Sequence, residues 1–492
     1  MTATDVPEGA GTSARPLFDA SFVNPKDRRL VLVAAVFGSS MGFIDGTVTA
    51  IAMPAIRASL GASLADAQWI NNAYMVALAA LILTGGAFAD RFGLARVFSL
   101  GIMVFIAMSL VCAVAPNAQT LIAARFAQGI GAALMVPGSL AIVSRAYPRE
   151  DRAAAIGTWA AYSALTTALG PIIGGLALSF GGPDIWRWIF AINLPMGLAA
   201  LWMIHRGVTR DAARPDQPVD VIGALLATTA LGLLAWAMIS AEGGANRPTS
   251  LLAAIGLAAF TLFLIHEART SAPMMPLTLF RSRLFAAANG ATFLLYFCLS
   301  AIMFYLPMLV IAAWDVSAIE AAAAFAPLSV FIALFSKRFG ALADRIGPAP
   351  VVALGSATIA AGYGWLAISV AGQTYYADVL PPMSLAGLGM SMVVAPLSTA
   401  VMAAVSDRQT GLASGVNNAI SRAAGLTAVA ALGGIISRSY TEAGGNFAYG
   451  IAADGAAHAT AMTAAFSSLA WITCATALLA ALVAATMGRQ AP

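Results

Sequence analysis

The chain has 492 residues, 60% of them hydrophobic and 10% charged, with a formal net charge of +4 and mean hydropathy +0.84. Soluble domains carry about a quarter charged residues, and a surface this poor in charge cannot face water over such a length. A cytosolic enzyme, a nucleic-acid binder and a disordered scaffold are excluded, and the chain reads as an all-α polytopic membrane protein.

Residues 1–27 are polar, rich in Gly, Thr, Ser and Pro. No short apolar core precedes a small-residue cleavage site, so this segment reads as a disordered cytoplasmic tail rather than a signal peptide. Beyond it, nearly charge-free runs recur between short clusters of Arg, Asp, Gly and Pro. Runs of about 20 apolar residues match the hydrocarbon thickness of a bilayer. Fourteen helical spans are expected, near 30–56, 67–89, 97–115, 121–144, 153–179, 188–204, 221–240, 250–266, 285–312, 318–336, 351–371, 378–404, 412–436 and 459–486. Residues 28–206 then make a six-helix bundle, and 207–270 hold a cytoplasmic linker and an inserted pair, spans 7 and 8. Residues 271–488 make a second six-helix bundle, and 489–492 a cytoplasmic tail.

Basic residues collect in cytoplasmic loops. With the N-terminus inside, 20 of the 26 Lys and Arg residues fall on the cytoplasmic side, among them Arg91, Arg96, Arg145, Arg149 and Arg345. Four fall outside (Arg57, Arg187, Arg247 and Arg438), and Arg125 and Arg422 lie within spans. Both termini are therefore expected in the cytoplasm.

The segment Gly86-Ala-Phe-Ala-Asp90-Arg91-Phe-Gly93 recurs as Gly340-Ala-Leu-Ala-Asp344-Arg345-Ile-Gly347, identical at six of eight positions. The copies lie between spans 2 and 3 and between spans 10 and 11, equivalent places in two related bundles. Duplicated bundles are a recurrent plan of secondary transporters, with the substrate site between the halves near the midplane. Each copy is a Gly-flanked turn whose Asp can sit at a helix N-terminus or pair with Arg, a latch favouring one conformation.

Asp45 is the one carboxylate well inside a span. Such residues face a bundle interior or a water path, and a carboxylate in a low-dielectric cavity can load and release a proton as the cavity changes sides. Arg125 in span 4 is its expected partner. Arg422 in span 13 is the equivalent cation of the second half, or a helix-end residue that snorkels to the cytoplasmic side. Gly38, Gly42 and Gly46 repeat at spacing four beside Asp45, as do Gly170 and Gly174, which flank Pro171 and precede Gly175. Small residues so spaced let membrane helices approach closely. Phe43, Tyr74, Tyr162, Phe293, Tyr296 and Tyr305 are candidate walls of a cavity for apolar or cationic molecules.

Other chemistries lack their residues. Neither lysine, Lys26 or Lys337, follows a glycine-rich phosphate loop. Gly38-Ser-Ser40-Met-Gly42 matches G-x-S-x-G but sits within a helix, not on a strand-to-helix elbow. His266-Glu267 begins an H-E-x-x-H pattern that ends on Thr270. Cys112, Cys298 and Cys474 lie in apolar runs and read as buried small residues. No metal and no cofactor are expected.

The ordered motifs resemble the major facilitator superfamily, specifically its fourteen-spanner drug:proton antiporter branch, over roughly residues 28 to 487. Ile44-Asp45-Gly46-Thr47-Val48 through Met53-Pro54 resembles that branch's first-helix signature, and Trp69 and Tyr74 fit its second helix. Gly86 to Phe98, with Arg96, resembles the superfamily's loop motif. Arg125-Phe-Ala-Gln128-Gly129-Ile-Gly131 resembles the fourth-helix motif linked with proton coupling, and Gly170-Pro171-Ile-Ile-Gly174-Gly175 the antiporter motif of the fifth. Trp186-Arg187-Trp188 with Ile192-Asn193-Leu194-Pro195 is similar to the sixth helix. Leu412 to Asn418, followed by Arg422, resembles the start of the thirteenth. Ala50, Leu309-Val310-Ile311 and Ala423 depart from the branch's usual Asn or Gln. The resemblance implies a major facilitator fold in a bacterial inner membrane, in contact with lipid and acting as a monomer. It implies export of lipophilic or cationic small molecules by alternating access, driven by the proton gradient through Asp45 and Arg125. An exporter dedicated to one endogenous metabolite or self-made antibiotic is the alternative. A periplasmic adaptor protein is left open as a partner; nucleic acid is not one.

Overall fold

The computed structural model describes residues 22–181, 183–211, 213–241, 247–406 and 409–487. Most of the expected N-terminal tail, the C-terminal tail and the basic residues Arg15, Arg408 and Arg489 lie outside the described residues. Seventeen α-helices account for nearly all of the described chain: α1 (Arg28–Leu60), α2 (Leu64–Phe92), α3 (Leu94–Ala113), α4 (Ala118–Ala146), α5 (Arg149–Gly181), α6 (Trp186–Ala191), α7 (Asn193–Gly207), α8 (Val221–Ser240), α9 (Arg247–Arg269), α10 (Arg283–Ala313), α11 (Ala318–Ala323), α12 (Ala326–Ile346), α13 (Pro348–Ser369), α14 (Tyr375–Asp378), α15 (Leu380–Ala403), α16 (Thr410–Glu442) and α17 (Ala456–Ala485).

Among the described residues, thirteen helical segments are long and apolar enough to cross a membrane. They cover every expected span except 153–179. That stretch lies within α5, a continuous helix of 33 residues whose apolar part is only Gly170–Phe180. Charged residues in its first turn and Thr158, Ser163 and Thr166 lower the hydropathy of the rest. Two expected spans are broken. Span 6 divides at Ile192 into α6 and α7, just before Pro195. Span 10 begins with α11 and resumes at α12, where Pro327 stands in the first turn; Pro lacks the N–H that would continue the helix across that point.

Helix starts follow the sequence. Ser63 caps α2 and Ser317 caps α11, each in a reciprocal capping box with the acidic residue three positions on, Asp66 and Glu320. Asn117 caps α4 by accepting from the Thr120 amide at 2.9 Å.

The helices pack in two groups. α1 to α5 and α7 enclose a core that includes Met41, Tyr74, Phe98 and Met135. A second core, with Tyr305, Tyr363 and Phe466, is built mainly on α10 to α17 and takes in Met53 and Ile56 of α1, Ile70 of α2 and Trp186 and Phe190 of α6. α8 and α9 pack on each other, and α8 also touches α2 and α16. The two copies of the repeat adopt the same backbone: Gly93 (φ 106°, ψ 132°) ends α2 and Gly347 (φ 90°, ψ 155°) ends α12. Their amides donate to the carbonyls of Ala89 and Ala343. A left-handed φ is open to glycine at no steric cost, which accounts for glycine at the end of both copies. The turns define an arginine-rich face.

Candidate functional site

The charged residues that the bilayer should expel meet at the centre of the first group. Asp45, midway along α1, is 3% exposed, and Arg125 of α4 is 1% exposed. Arg125 Nη1 donates to Asp45 Oδ2 in an ion pair and to Gln128 Oε1 at 2.6 Å. Gln128 follows Arg125 by three positions, so both side chains share one face of α4. Gln128 Nε2 donates to Asp45 Oδ1 at 2.9 Å and to Ser109 Oγ of α3 at 2.8 Å. Asn193, the first residue of α7, donates to the same Ser109 Oγ at 3.2 Å. Arg125 Nε donates to the Ile70 carbonyl of α2 at 3.2 Å.

Aromatic faces complete the enclosure. The guanidinium carbon of Arg125 lies 4.4 Å from the ring centroid of Tyr74 and 5.7 Å from that of Phe190. A cation over an aromatic face is favoured, more so away from water. Close helix approach brings these partners together. A Cβ on Gly129 would meet the Tyr74 carbonyl at 2.5 Å, and one on Gly131 the Phe105 amide nitrogen at 2.7 Å. A buried charge pair persists only when hydrogen bonds satisfy its remaining atoms, and here both carboxylate oxygens accept.

Asp45 and Arg125 were legible as a candidate pair. Gln128, Ser109 and Asn193 were not chosen as site residues, although the i, i+3 spacing of Arg125 and Gln128 was the available signal. The candidate cavity residues divide. Phe43 faces α16, where the Arg422 guanidinium carbon is 5.9 Å from its ring centroid. Arg422 thus reaches across between the two groups, and its Nε has no hydrogen-bond partner among the described residues. Tyr162 is 54% exposed, and Phe293 and Tyr296 are half-buried on α10. Tyr74 and Tyr305 are fully buried, which corrects their assignment to a cavity wall. Tyr74 lies beneath Arg125. The Tyr305 hydroxyl donates to the Val429 carbonyl at 2.8 Å and accepts from Gln68 Nε2 at 3.0 Å.

Away from the arginine-rich face, the two groups are joined. Gln68 donates to the Val429 carbonyl at 2.7 Å, buried Arg57 donates to the Tyr449 carbonyl at 2.5 Å, and the Ile319 amide donates to Ser179 Oγ at 3.3 Å. Of the α5 glycines, Gly175 reaches across this closure, while Gly170 and Gly174 seat α5 on α1. Gly170 packs on Thr47 of α1, a Cβ on Gly174 would meet Val48 at 2.6 Å, and one on Gly175 would meet the Ala318 carbonyl of α11 at 2.7 Å. Pro171 lies within α5 between them. α5 and α12 leave large side chains exposed along their length, among them Tyr162, Leu165, Phe180, Val330 and Leu334.

The loop copies differ in their contacts. Asp90 pairs with Arg145 of α4 at 3.7 Å, and its carbonyl accepts from the Arg214 amide at 3.0 Å. Arg91 stacks on Phe92 and donates to the Gln217 carbonyl at 3.4 Å. The Arg96 amide donates to Asp211 Oδ2 at 2.9 Å. Gly86 has open space beside it. In the second copy Gly340 packs on Ala395, and Asp344 and Arg345 are exposed. Among the described residues, the latch pairing is present only in the first copy, which has the 208–220 linker to pack on.

The Major Facilitator Superfamily model matches residues 35–430. The chain is 34% identical over 423 residues to the methylenomycin A resistance protein of Bacillus subtilis, covering 85% of this chain and 90% of that one. It is 32% identical over 414 residues to the multidrug resistance protein Stp of Mycobacterium tuberculosis, covering 83% and 75%. Its fold is similar to that of a bacterial homologue of the human lysosomal transporter Spinster, solved in an inward-facing, unoccupied conformation. That likeness has a TM-score of 0.67 at 19% identity, over 95% of this chain and 99% of that one. The chain belongs to the major facilitator superfamily of membrane transporters.

Proposed function

We propose that this transporter exports lipophilic or cationic small molecules from the cytoplasm in exchange for protons. The observation that carries the reading is the Asp45–Arg125–Gln128 cluster: one buried carboxylate, at the middle of a membrane helix, paired at the centre of the first helix group. A proton entering from outside neutralises Asp45 and loosens Arg125, which favours substrate release; proton loss to the cytoplasm restores the pair. In this reading the arginine-rich face is the cytoplasmic one, and the closure at Arg57, Gln68 and Gly175 lies toward the outside.

The finer assignments belong to this reading. α5 counts as a fourteenth span, both termini are cytoplasmic, and the chain joins the fourteen-spanner drug:proton antiporter branch in a bacterial inner membrane. It works as a monomer without a cofactor, and recruitment of a periplasmic adaptor is a separate question for pull-down. The names of the relatives, one for resistance to a single antibiotic and one for multidrug resistance, support export and favour a second reading, an exporter dedicated to one metabolite or self-made antibiotic.

Proteoliposomes under an imposed pH gradient test both readings with a panel of lipophilic cations, anions and neutral antibiotics. Uptake of several unrelated cations with proton counterflow is the expected result. Transport of one compound alone selects the dedicated exporter, and undiminished coupled antiport by Asp45→Asn would overturn the proton role of Asp45.

A further inference from the structure

The inserted helix pair carries a second buried acidic cluster, at the arginine-rich face. Asp220 caps α8: its Oδ1 accepts from the Gly223 amide at 2.8 Å and lies 2.8 Å from His266 Nε2 of α9. Glu267, the next residue on α9, is 3% exposed, and its Oε2 accepts from the Met275 amide at 2.8 Å. One oxygen of each carboxyl is thus engaged. The other two, Asp220 Oδ2 and Glu267 Oε1, are buried and have no hydrogen-bond partner among the described residues. Both press on Gly223, where a Cβ would meet them at 2.5 and 2.7 Å.

Two acceptor oxygens buried side by side, with no donor between them, cannot both carry charge cheaply. Like charges sharing one site force one group to keep its proton, and a buried polar atom left without a partner is costly. A proton on Glu267 Oε1 removes both costs at once, because it supplies the missing donor to Asp220 Oδ2. Burial works against the charge on Asp220, but the Gly223 amide and His266 outweigh it and hold that carboxyl below its usual range. The proton therefore belongs on Glu267. Asp220, His266 and Glu267 are the titratable groups that act on one another here. α2 and α16, packed on α8, bring no charged group to the cluster among the described residues.

We propose that Asp220, Glu267 and His266 form a proton-binding site that reads cytoplasmic pH and fastens the inserted pair to the segment leading into α10. The fastening runs from Glu267 to the Met275 amide, and the neighbouring Met274 Sδ contacts Thr84 Oγ1 of α2 at 3.5 Å. His266 is partly exposed beside a cavity of about 380 Å³ that Thr270 and Ser271 also line, which supplies a route for the proton. Loss of the proton sets two carboxylates against each other, and the fastening loosens as pH rises.

Hydrogen exchange on the full-length protein in nanodiscs tests this without any transport assay. Corrected for the pH dependence of intrinsic exchange, protection of the amides of Thr270, Ser271, Ala272, Met274 and Met275 is expected to fall by up to about tenfold per unit of pH as pH rises toward the closed site's midpoint, and to level off above it. Glu267→Gln, whose amide donates to Asp220 at every pH, is expected to remove that dependence. Protection that does not vary with pH in the wild type, or that varies equally in Glu267→Gln, would overturn the proposal. Infrared titration guards against a variant that fails to fold. A protonated-carboxyl band must titrate in the Asp45→Asn protein as well, and its absence there overturns the site.

Discussion

Gln128 Nε2 donates to Asp45 Oδ1 at 2.9 Å, so the carboxylate in the middle of α1 has a neutral partner beside its guanidinium. The same amide group reaches Ser109, and its carbonyl accepts from Arg125. One side chain therefore holds both members of the ion pair and ties them to α3.

Removing that amide leaves buried atoms unpaired. Gln128→Ala is expected to cost about 1–3 kcal/mol, the usual price of orphaning a buried polar partner. The cost appears as a lower melting temperature of the purified protein. A variant as stable as the wild type would show that Gln128 does not hold the pair.

Asp45→Asn keeps the shape of the site and removes the titrating group. Proton release on substrate addition is expected to vanish in proteoliposomes, while substrate binding, measured by calorimetry, stays within about tenfold, since a 1.4 kcal/mol change corresponds to that factor.

Gly93 and Gly347 share a left-handed φ but differ in surroundings. A Cβ on Gly93 would meet Asp211 Oδ2 at 2.5 Å, whereas nothing lies within 4 Å of one on Gly347. Gly347→Ala is expected to cost about 1–3 kcal/mol for the backbone alone. Gly93→Ala costs more, because the Asp211 carboxylate must leave the Arg96 amide. Thermal melts of the two variants, side by side, check the order.

Gly175 lets α5 touch α11, where a Cβ would meet the Ala318 carbonyl at 2.7 Å and Ile319 Cα at 2.8 Å. Gly175→Leu is expected to hold this closure apart. Spin labels at Ser179 and Ile319, whose backbone and side chain now bond at 3.3 Å, should report a longer distance by double electron resonance. An unchanged distance distribution would rule out Gly175 as the closing contact.

How much was legible beforehand varies by residue. Asp45 and Arg125 stood out because a charge within an apolar run is anomalous whatever surrounds it. The loop repeat was legible for a similar reason: a left-handed turn needs glycine, and Gly93 and Gly347 both provide one. Tyr305 was misread because an aromatic in a membrane helix has the same hydropathy whether it faces a cavity or, as here, the Val429 carbonyl. His266 and Glu267 read as a failed metal motif, since nothing local indicates that Asp220, 46 residues before His266, lies against them.

Scarcity of charge, a property of single residues and short windows, was enough for the sequence to determine a many-spanning helical protein and its three misplaced ions, Asp45, Arg125 and Arg422. The tertiary structure alone decided their company. Asp45 and Arg125 are 80 positions apart, and they meet because α1 packs on α4, where a Cβ on Gly42 would lie 3.3 Å from Val136 and 3.6 Å from Met135. Which faces of two helices touch depends on their rotation and crossing, and those are set by packing across the whole group. The same packing left Arg422 opposite Phe43 and set Asp220 against Glu267.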